Sequence, residues 1–285
     1  VSLDRALTLA GLVERLATVK RVTAFATERE RVTDHTVMLQ LLVLDMVMGP
    51  DIDTLALHGV VCQDALAFAL VHDLPEALCG DTNTMDPSKV DFAAKEAAER
   101  DAFKQIDGML SRSGAGTVIP VLIDVYERNA SPSARFVRYL DKVLPRLLHT
   151  RAGGIFFWKN GYSLEQVEAL HRTQETALTA QYPEFASTVG VLLSAASRAA
   201  EAAYARSLAE RQQVVDRVLP WLMETWPGAW TARIGWNSIA FALGGRRAMY
   251  FKHPEQAIWW YSDDTDGVIP DDAPRFHVED LHGPA

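Results

Sequence analysis

His35, the adjacent pair His72-Asp73, and Asp141 are the residues of this sequence whose types suit metal chemistry. Imidazole and carboxylate groups gathered in a closed pocket hold divalent cations. Whether they gather depends on the helices that carry them. Apolar runs predict one helix from about His35 to Met48 and another from about Thr54 to His72, joined by Gly49-Pro50-Asp51-Ile52-Asp53. So short a link makes the two helices antiparallel neighbours. Both are apolar nearly all round, which predicts burial of both. His35 opens the first and His72 closes the second, so the two imidazoles and Asp73 come to one end of the pair. Farther on, Ser131-Pro132 marks a helix start, with a capping serine and proline in the first turn. Val137, Leu140 and Leu144 define the apolar face of that helix, and Asp141 lies on it, where an unpaired charge is costly. Each group alone has an ordinary explanation: a capping His35, a hydrogen-bonded core His72, an Asp141 paired with Arg138 or Lys142. Their coincidence at positions where helix geometry lets three of them meet is harder to explain without a metal.

The phrases around these residues resemble those of HD-domain phosphohydrolases. The order His35, His72-Asp73, Asp141 is similar to that superfamily's metal signature. Glu30-Arg31-Val32-Thr33-Asp34-His35, His72-Asp73-Leu74-Pro75-Glu76, Gly80-Asp81, Pro87-Ser88-Lys89 and Ala134 through Lys142 resemble the branch of the 5′-deoxynucleotidases and phage nucleotide triphosphohydrolases. The similarity spans about residues 10 to 180. It implies an all-α HD-domain helical bundle in which His35, His72, Asp73 and Asp141 hold one divalent metal: Mn, Co, Fe, Ni, Zn or Mg. It also implies hydrolysis of the 5′-phosphate of a nucleoside or deoxynucleoside monophosphate by metal-bound water. Asp73 and Glu76 would take the catalytic roles, with Glu76 as acid or base. Arg21, with Lys20 beside it, resembles the branch's phosphate-contacting arginine. Lys89 is a further cationic candidate, and Asp81, Thr82, Asn83 and Thr84 match the substrate loop by position.

One departure bears on the substrate. The deoxynucleotidases carry a tryptophan immediately after the phosphate-contacting arginine, and Val22 stands there in this chain, or Arg21 if the register shifts by one. With only Phe25 nearby as a partial replacement, weak discrimination between ribose and deoxyribose is expected. A (d)NTP triphosphohydrolase is the alternative within the same chemistry. A nucleotide-binding sensor without catalysis is the alternative outside it. Walker, His-Glu-x-x-His, Gly-x-Ser-x-Gly and dinucleotide-binding patterns do not occur.

The whole chain sets limits. Its 285 residues carry a net charge of −9, which argues against binding a nucleic-acid polymer. Two cysteines, Cys62 and Cys79, are too few for a disulfide framework and fit a reducing cytoplasm. Apolar stretches such as Val60 to Val71 are too short to cross a bilayer, and the first residues do not read as a secretion signal. A small-molecule substrate, no membrane, and a homo-oligomer (dimer or higher) are expected. Residues 1–185 read as the HD phosphohydrolase domain. Residues 186–285 read as a helical and β-meander extension, a small α+β module that holds six of the seven tryptophans. Within it Ser238 to Leu243 and Arg246 to Phe251 flank Gly244-Gly245 as a hairpin, Ala257 to Tyr261 supplies a third strand, and Ser262 to Ala285 reads as a tail.

Overall fold

The computed structural model describes residues 3–24, 29–82, 90–111, 118–225, 230–234, 238–243, 246–252, 257–260 and 275–277. Helix α1 (Leu3–Leu16) is followed by a short antiparallel pair, β1 (Lys20–Ala24) and β2 (Arg29–Arg31). Then come α2 (Val32–Met48), α3 (Ile52–Leu57), α4 (Cys62–Val71), α5 (Glu76–Cys79), α6 (Phe92–Ser111), α7 (Val118–Glu127), α8 (Pro132–Asp141) and α9 (Leu144–Arg151). After α10 (Ile155–Lys159) and α11 (Leu164–Gln181), a 3-10 turn and a π turn lead into the long α12 (Val191–Thr225). The chain forms two compact units: Val1–Ala152 with Glu165–Ala202, and Gly153–Leu164 with Ala203–Ala285.

In the first unit, α2, α4 and α8 share one core. Leu39 and Val43 of α2, Ala65 and Phe68 of α4, and Phe136, Val137 and Leu140 of α8 are all buried in it. The helix start at Ser131-Pro132 is as expected: the Ser131 hydroxyl accepts from the Ala134 N–H at 3.1 Å, with Pro132 in the first turn. Two expectations need correction. The helix expected from Thr54 to His72 is two helices, α3 and α4, because Gly59 adopts φ +77° and ends the first. The Gly59 N–H donates to Ala56 O (2.9 Å) and the Val60 N–H to Leu55 O (3.0 Å), the paired bonds of a Schellman stop, with Leu55 and Val60 both buried. Ser133 of α8 then accepts from the Val61 N–H at 2.9 Å, so α4 restarts against α8. Nor is α2 buried all round, because Val37, Leu41, Leu44 and Met48 face outward. Hydropathy shows that a face is apolar but not what covers it.

In the second unit, Gly154 caps α10 at φ +70°, and a Cβ there would sit 2.6 Å from the Tyr204 side chain. Its sheet is antiparallel in the order β3 (Trp230–Ile234), β4 (Ser238–Leu243), β5 (Arg246–Lys252), β6 (Ala257–Trp260), β7 (Arg275–His277). Three of these strands are the expected ones; Gly244-Gly245 themselves lie outside the described residues. Strand β7, from the stretch expected as a tail, pairs with β6. The architecture is an all-α bundle with a small α+β module.

Candidate metal centre

Three helix ends and one hairpin build the site, all within the first unit. The Arg31 N–H donates to Asp34 at 3.1 Å and fixes the start of α2, so His35 sits in its first turn. At the same end of the antiparallel pair, His72 caps α4, and the chain turns through Asp73-Leu74-Pro75 before α5 begins at Glu76. Asp141 is the last residue of α8. Strand β2 alternates, so Glu30 points inward between the exposed Arg29 and Arg31.

The donor atoms converge. The imidazoles of His35 and His72 stand 5.5 Å apart between ring centroids. One ligand atom each from His35, His72 and Asp73 lies within 4.8 Å of the other two. His72 Nε2 is 3.0 Å and His35 Nε2 3.8 Å from Asp73 Oδ2. Asp141 joins through His35, with Oδ1 2.8 Å from Nε2.

The second nitrogen of each ring shows that this set fits a cation. His72 Nδ1 lies 3.0 Å from the Ala69 carbonyl oxygen, which can only accept, so Nδ1 carries a proton and Nε2 is the ring atom left to face a cation. That Nε2 is buried and makes no hydrogen bond, although it lies 3.0 Å from Asp73 Oδ2. His35 Nδ1 is 3.1 Å from Oε1 of the fully buried Glu30, the carboxylate-to-imidazole arrangement that orients a ligating histidine.

Charge follows the same design. Burial and Arg21 act to lower the pKa of His35, but hydrogen bonds to Asp141 and Glu30 outweigh them and raise it to about 9. Burial opposes the charge on Asp73, yet His72 and Arg21 hold its carboxyl well below the usual range. Asp141 is held low as well: burial works against its charge, but Lys142, 2.6 Å away, and His35 prevail. Burial, reinforced by Asp73, pushes the Glu76 carboxyl up to about 9. Arg21 Nη1 lies 2.7 Å from Asp73 Oδ2 and 3.8 Å from Glu76 Oε2, so the guanidinium reaches the centre from β1.

Arg21, His72, Asp73, Glu76, Asp81 and Thr82 line one cavity of about 150 Å³ together with Asp141, while His35 lies behind them, fully buried. Lys20 is exposed and does not line it. Asn83, Thr84, Lys89 and Phe25 lie outside the described residues, as does the side chain of Val22. Sequence reasoning assigns no role to two residues of the site: Glu30, which looks like surface charge inside Arg-Glu-Arg, and Tyr126 of α7. The Tyr126 ring meets His72 edge-on at 5.7 Å, and the Arg138 guanidinium lies 4.4 Å from its centre. Arg138 and Lys142, expected only as surface partners of Asp141, both line the cavity.

The sequence profile of the HD domain matches residues 13–182. Among solved structures, the chain is similar to a protein described as a predicted metal-dependent phosphohydrolase from Magnetospirillum magnetotacticum MS-1. The two share 23% identity over 72% of this chain and 97% of that one, with a TM-score of 0.52. A conserved hypothetical protein from Pyrococcus furiosus is 20% identical over 63% of this chain and 95% of its own, with a TM-score of 0.39. No curated protein matches.

Proposed function

The chain belongs to the HD domain family, and from that premise we propose that it is a metal-dependent phosphohydrolase acting on nucleoside or deoxynucleoside 5′-monophosphates. The observation that carries this reading is the bare, buried Nε2 of His72 aimed among His35, Asp73 and Asp141. A divalent cation held by these four side chains would supply a positive centre that polarises a phosphoryl oxygen and acidifies water near neutral pH.

The chain's own groups do the rest. Arg21 donates to the phosphate oxygens, and its ion pair with Asp73 fixes the guanidinium beforehand. Glu76, whose carboxyl burial and Asp73 push up in the metal-free protein, holds the proton that passes to the ester oxygen as the bond to phosphorus breaks. Asp81 and Thr82, on the cavity wall, are placed to bind polar edges of the leaving group. Asn83, Thr84 and Lys89 are assigned to the same role from the sequence alone. Lys20 adds general positive charge nearby.

Carboxylates outnumber lysines and arginines around the 150 Å³ cavity, which favours one phosphate over three. An adjoining cavity of about 660 Å³, with Phe92, Phe103 and Ile123 on its wall, offers volume and apolar surface for a nucleoside. We take residues 1–185 as the catalytic domain and 186–285 as an extension that supplies no ligand. A homo-oligomer and no polymeric nucleic acid complete the reading. Among the described residues no helix is long and apolar enough to cross a membrane.

The test is a screen of ribo- and deoxyribonucleoside mono- and triphosphates with Mn, Co, Ni, Zn or Mg, reading which phosphate species leaves. Orthophosphate from monophosphates, lost on chelation, is expected. With Val22 in place of tryptophan, the two sugars should differ by less than about a hundredfold. Release of triphosphate would replace the monophosphate reading, and tight binding without turnover would replace catalysis by sensing.

A further inference from the structure

Helix α2 carries His35 on its inner side and an apolar seam on its outer side, exposed among the described residues. Val37 (55% exposed), Leu41 (61%), Leu44 (42%) and Met48 (65%) stand at intervals of four, three and four residues, the spacing of a helix-to-helix seam. The patch continues onto α4 at both ends. Cys62 Sγ lies 3.9 Å from Met48 Sδ, next to the exposed Val61. Leu70, also exposed, lies two residues before His72 and therefore level with the His35 end of α2, where Val37 stands.

We propose that this face joins two copies of the chain, α2 against α2, antiparallel about the midpoint between Leu41 and Leu44. The seam reads the same in both directions. An antiparallel partner therefore sets Val37 opposite Met48 of the partner subunit and Leu41 opposite Leu44 of the partner subunit. The polar flank agrees: the same register sets the exposed Asp45 opposite Gln40 of the partner subunit, whose amide can donate to the carboxylate. A parallel pair would set Asp45 against Asp45 of the partner subunit, which repels. A face that complements itself under a two-fold axis fits a second copy of this chain.

Its size sets the strength. The 17-residue helix is roughly 25 Å long and about 10 Å across, and α4 adds a flank. That falls short of the ~800 Å² per partner of a standard interface, so the dimer is reversible, with Kd on the order of 1–100 µM. The inference rests on the homo-oligomer part of the proposed function. It is measured without substrate, so a failed hydrolysis screen leaves it standing.

The experiment is sedimentation of the full-length protein across that concentration range. The wild type should pass from monomer to dimer. Leu41→Glu, at an exposed position, should remain monomeric with unchanged far-UV spectrum and metal content. Gln40→Lys should tighten the dimer several-fold at low salt, through two symmetric pairs with Asp45, and lose that gain at high salt. A wild type that stays monomeric, or a dimer that Leu41→Glu leaves unchanged, would overturn the proposal. Tightening by Asp45→Asn together with weakening by Gln40→Lys would overturn the antiparallel register.

Discussion

The first unit buries two pairs of histidines and treats them in opposite ways. His35 and His72 sit among Glu30, Asp73 and Asp141, and His35 is raised to about 9 although burial and Arg21 act to lower it. His149 of α9 and His171 of α11 are just as buried, but burial lowers both, His149 to about 3 with the neighbouring His171 and then Arg146 adding to it, and His171 to about 4 with Arg146 adding to it. Arg146 itself bonds to neutral groups: Ser197 Oγ at 2.9 Å, Gln174 Oε1 at 2.7 Å and the Lys142 carbonyl at 2.5 Å. His171 Nδ1 does lie 2.8 Å from Glu201 Oε1. Yet the imidazole is shifted down and the Glu201 carboxyl up, each toward its neutral form, so this is a hydrogen bond from a neutral ring and not an ion pair. Burial alone therefore does not prepare a pair of histidines for a cation; the carboxylates that converge on His35 and His72 set apart the pair proposed as ligands.

Breaking the carboxylate set should have the largest effect. Asp141→Ala removes a donor 2.8 Å from His35 Nε2 and should cost well over a hundredfold in metal affinity and hydrolysis, beyond the 10–100-fold typical of an outer partner. His149→Phe should leave bound metal and turnover near wild type. Metal analysis and phosphate release on the two variants make the comparison.

Acid should separate the pairs next. For His149 and His171 the folded pKa lies below the ordinary 6.5, so the unfolded chain binds more protons between about pH 3 and 6.5. Their contribution to stability is present above pH 6.5 and drains away as pH falls toward 3. The loss is on the order of 1 kcal/mol per histidine for each pH step between its unfolded and folded pKa. His35 in chelated protein has the opposite sign: its contribution is full below pH 6.5 and is lost as pH rises through about 9. Urea unfolding of chelated wild type and His149→Phe from pH 4 to 9 should show the acid slope flattened in the variant. An equally steep slope would remove Arg146 and burial as its cause.

Glu30→Gln makes the smallest of these changes, keeping an acceptor for His35 Nδ1 while removing the charge. Metal affinity should fall about 10–100-fold with the helical content intact. Isothermal titration of the apoprotein with Mn checks it; wild-type affinity would make Glu30 a packing residue.

The four candidate ligands can be read in the sequence because each stands at a helix end, and helix geometry decides where helix ends meet. Glu30 cannot, since its inward direction depends on a three-residue strand pairing with β1, and Arg-Glu-Arg has no hydrophobic alternation to announce a strand. The stop at Gly59 is legible in principle: a glycine at the end of an apolar run is a helix terminator, and the apolar Val60 after it completes the Schellman contact with Leu55. The continuous hydropathy on either side of it hides the break. Strands β4, β5 and β6 are legible from their aromatic and branched residues. Strand β7 forms only because β6 offers it an edge, a long-range condition that three residues do not encode.

The most direct measurement is an anomalous difference map from crystals grown with Mn. One peak should lie between His35 Nε2, His72 Nε2, Asp73 and Asp141, with none between His149 and His171. A peak at His149 and His171, or a site that does not take up metal at saturating Mn, would contradict the assignment of the carboxylate-ringed pair as the metal centre.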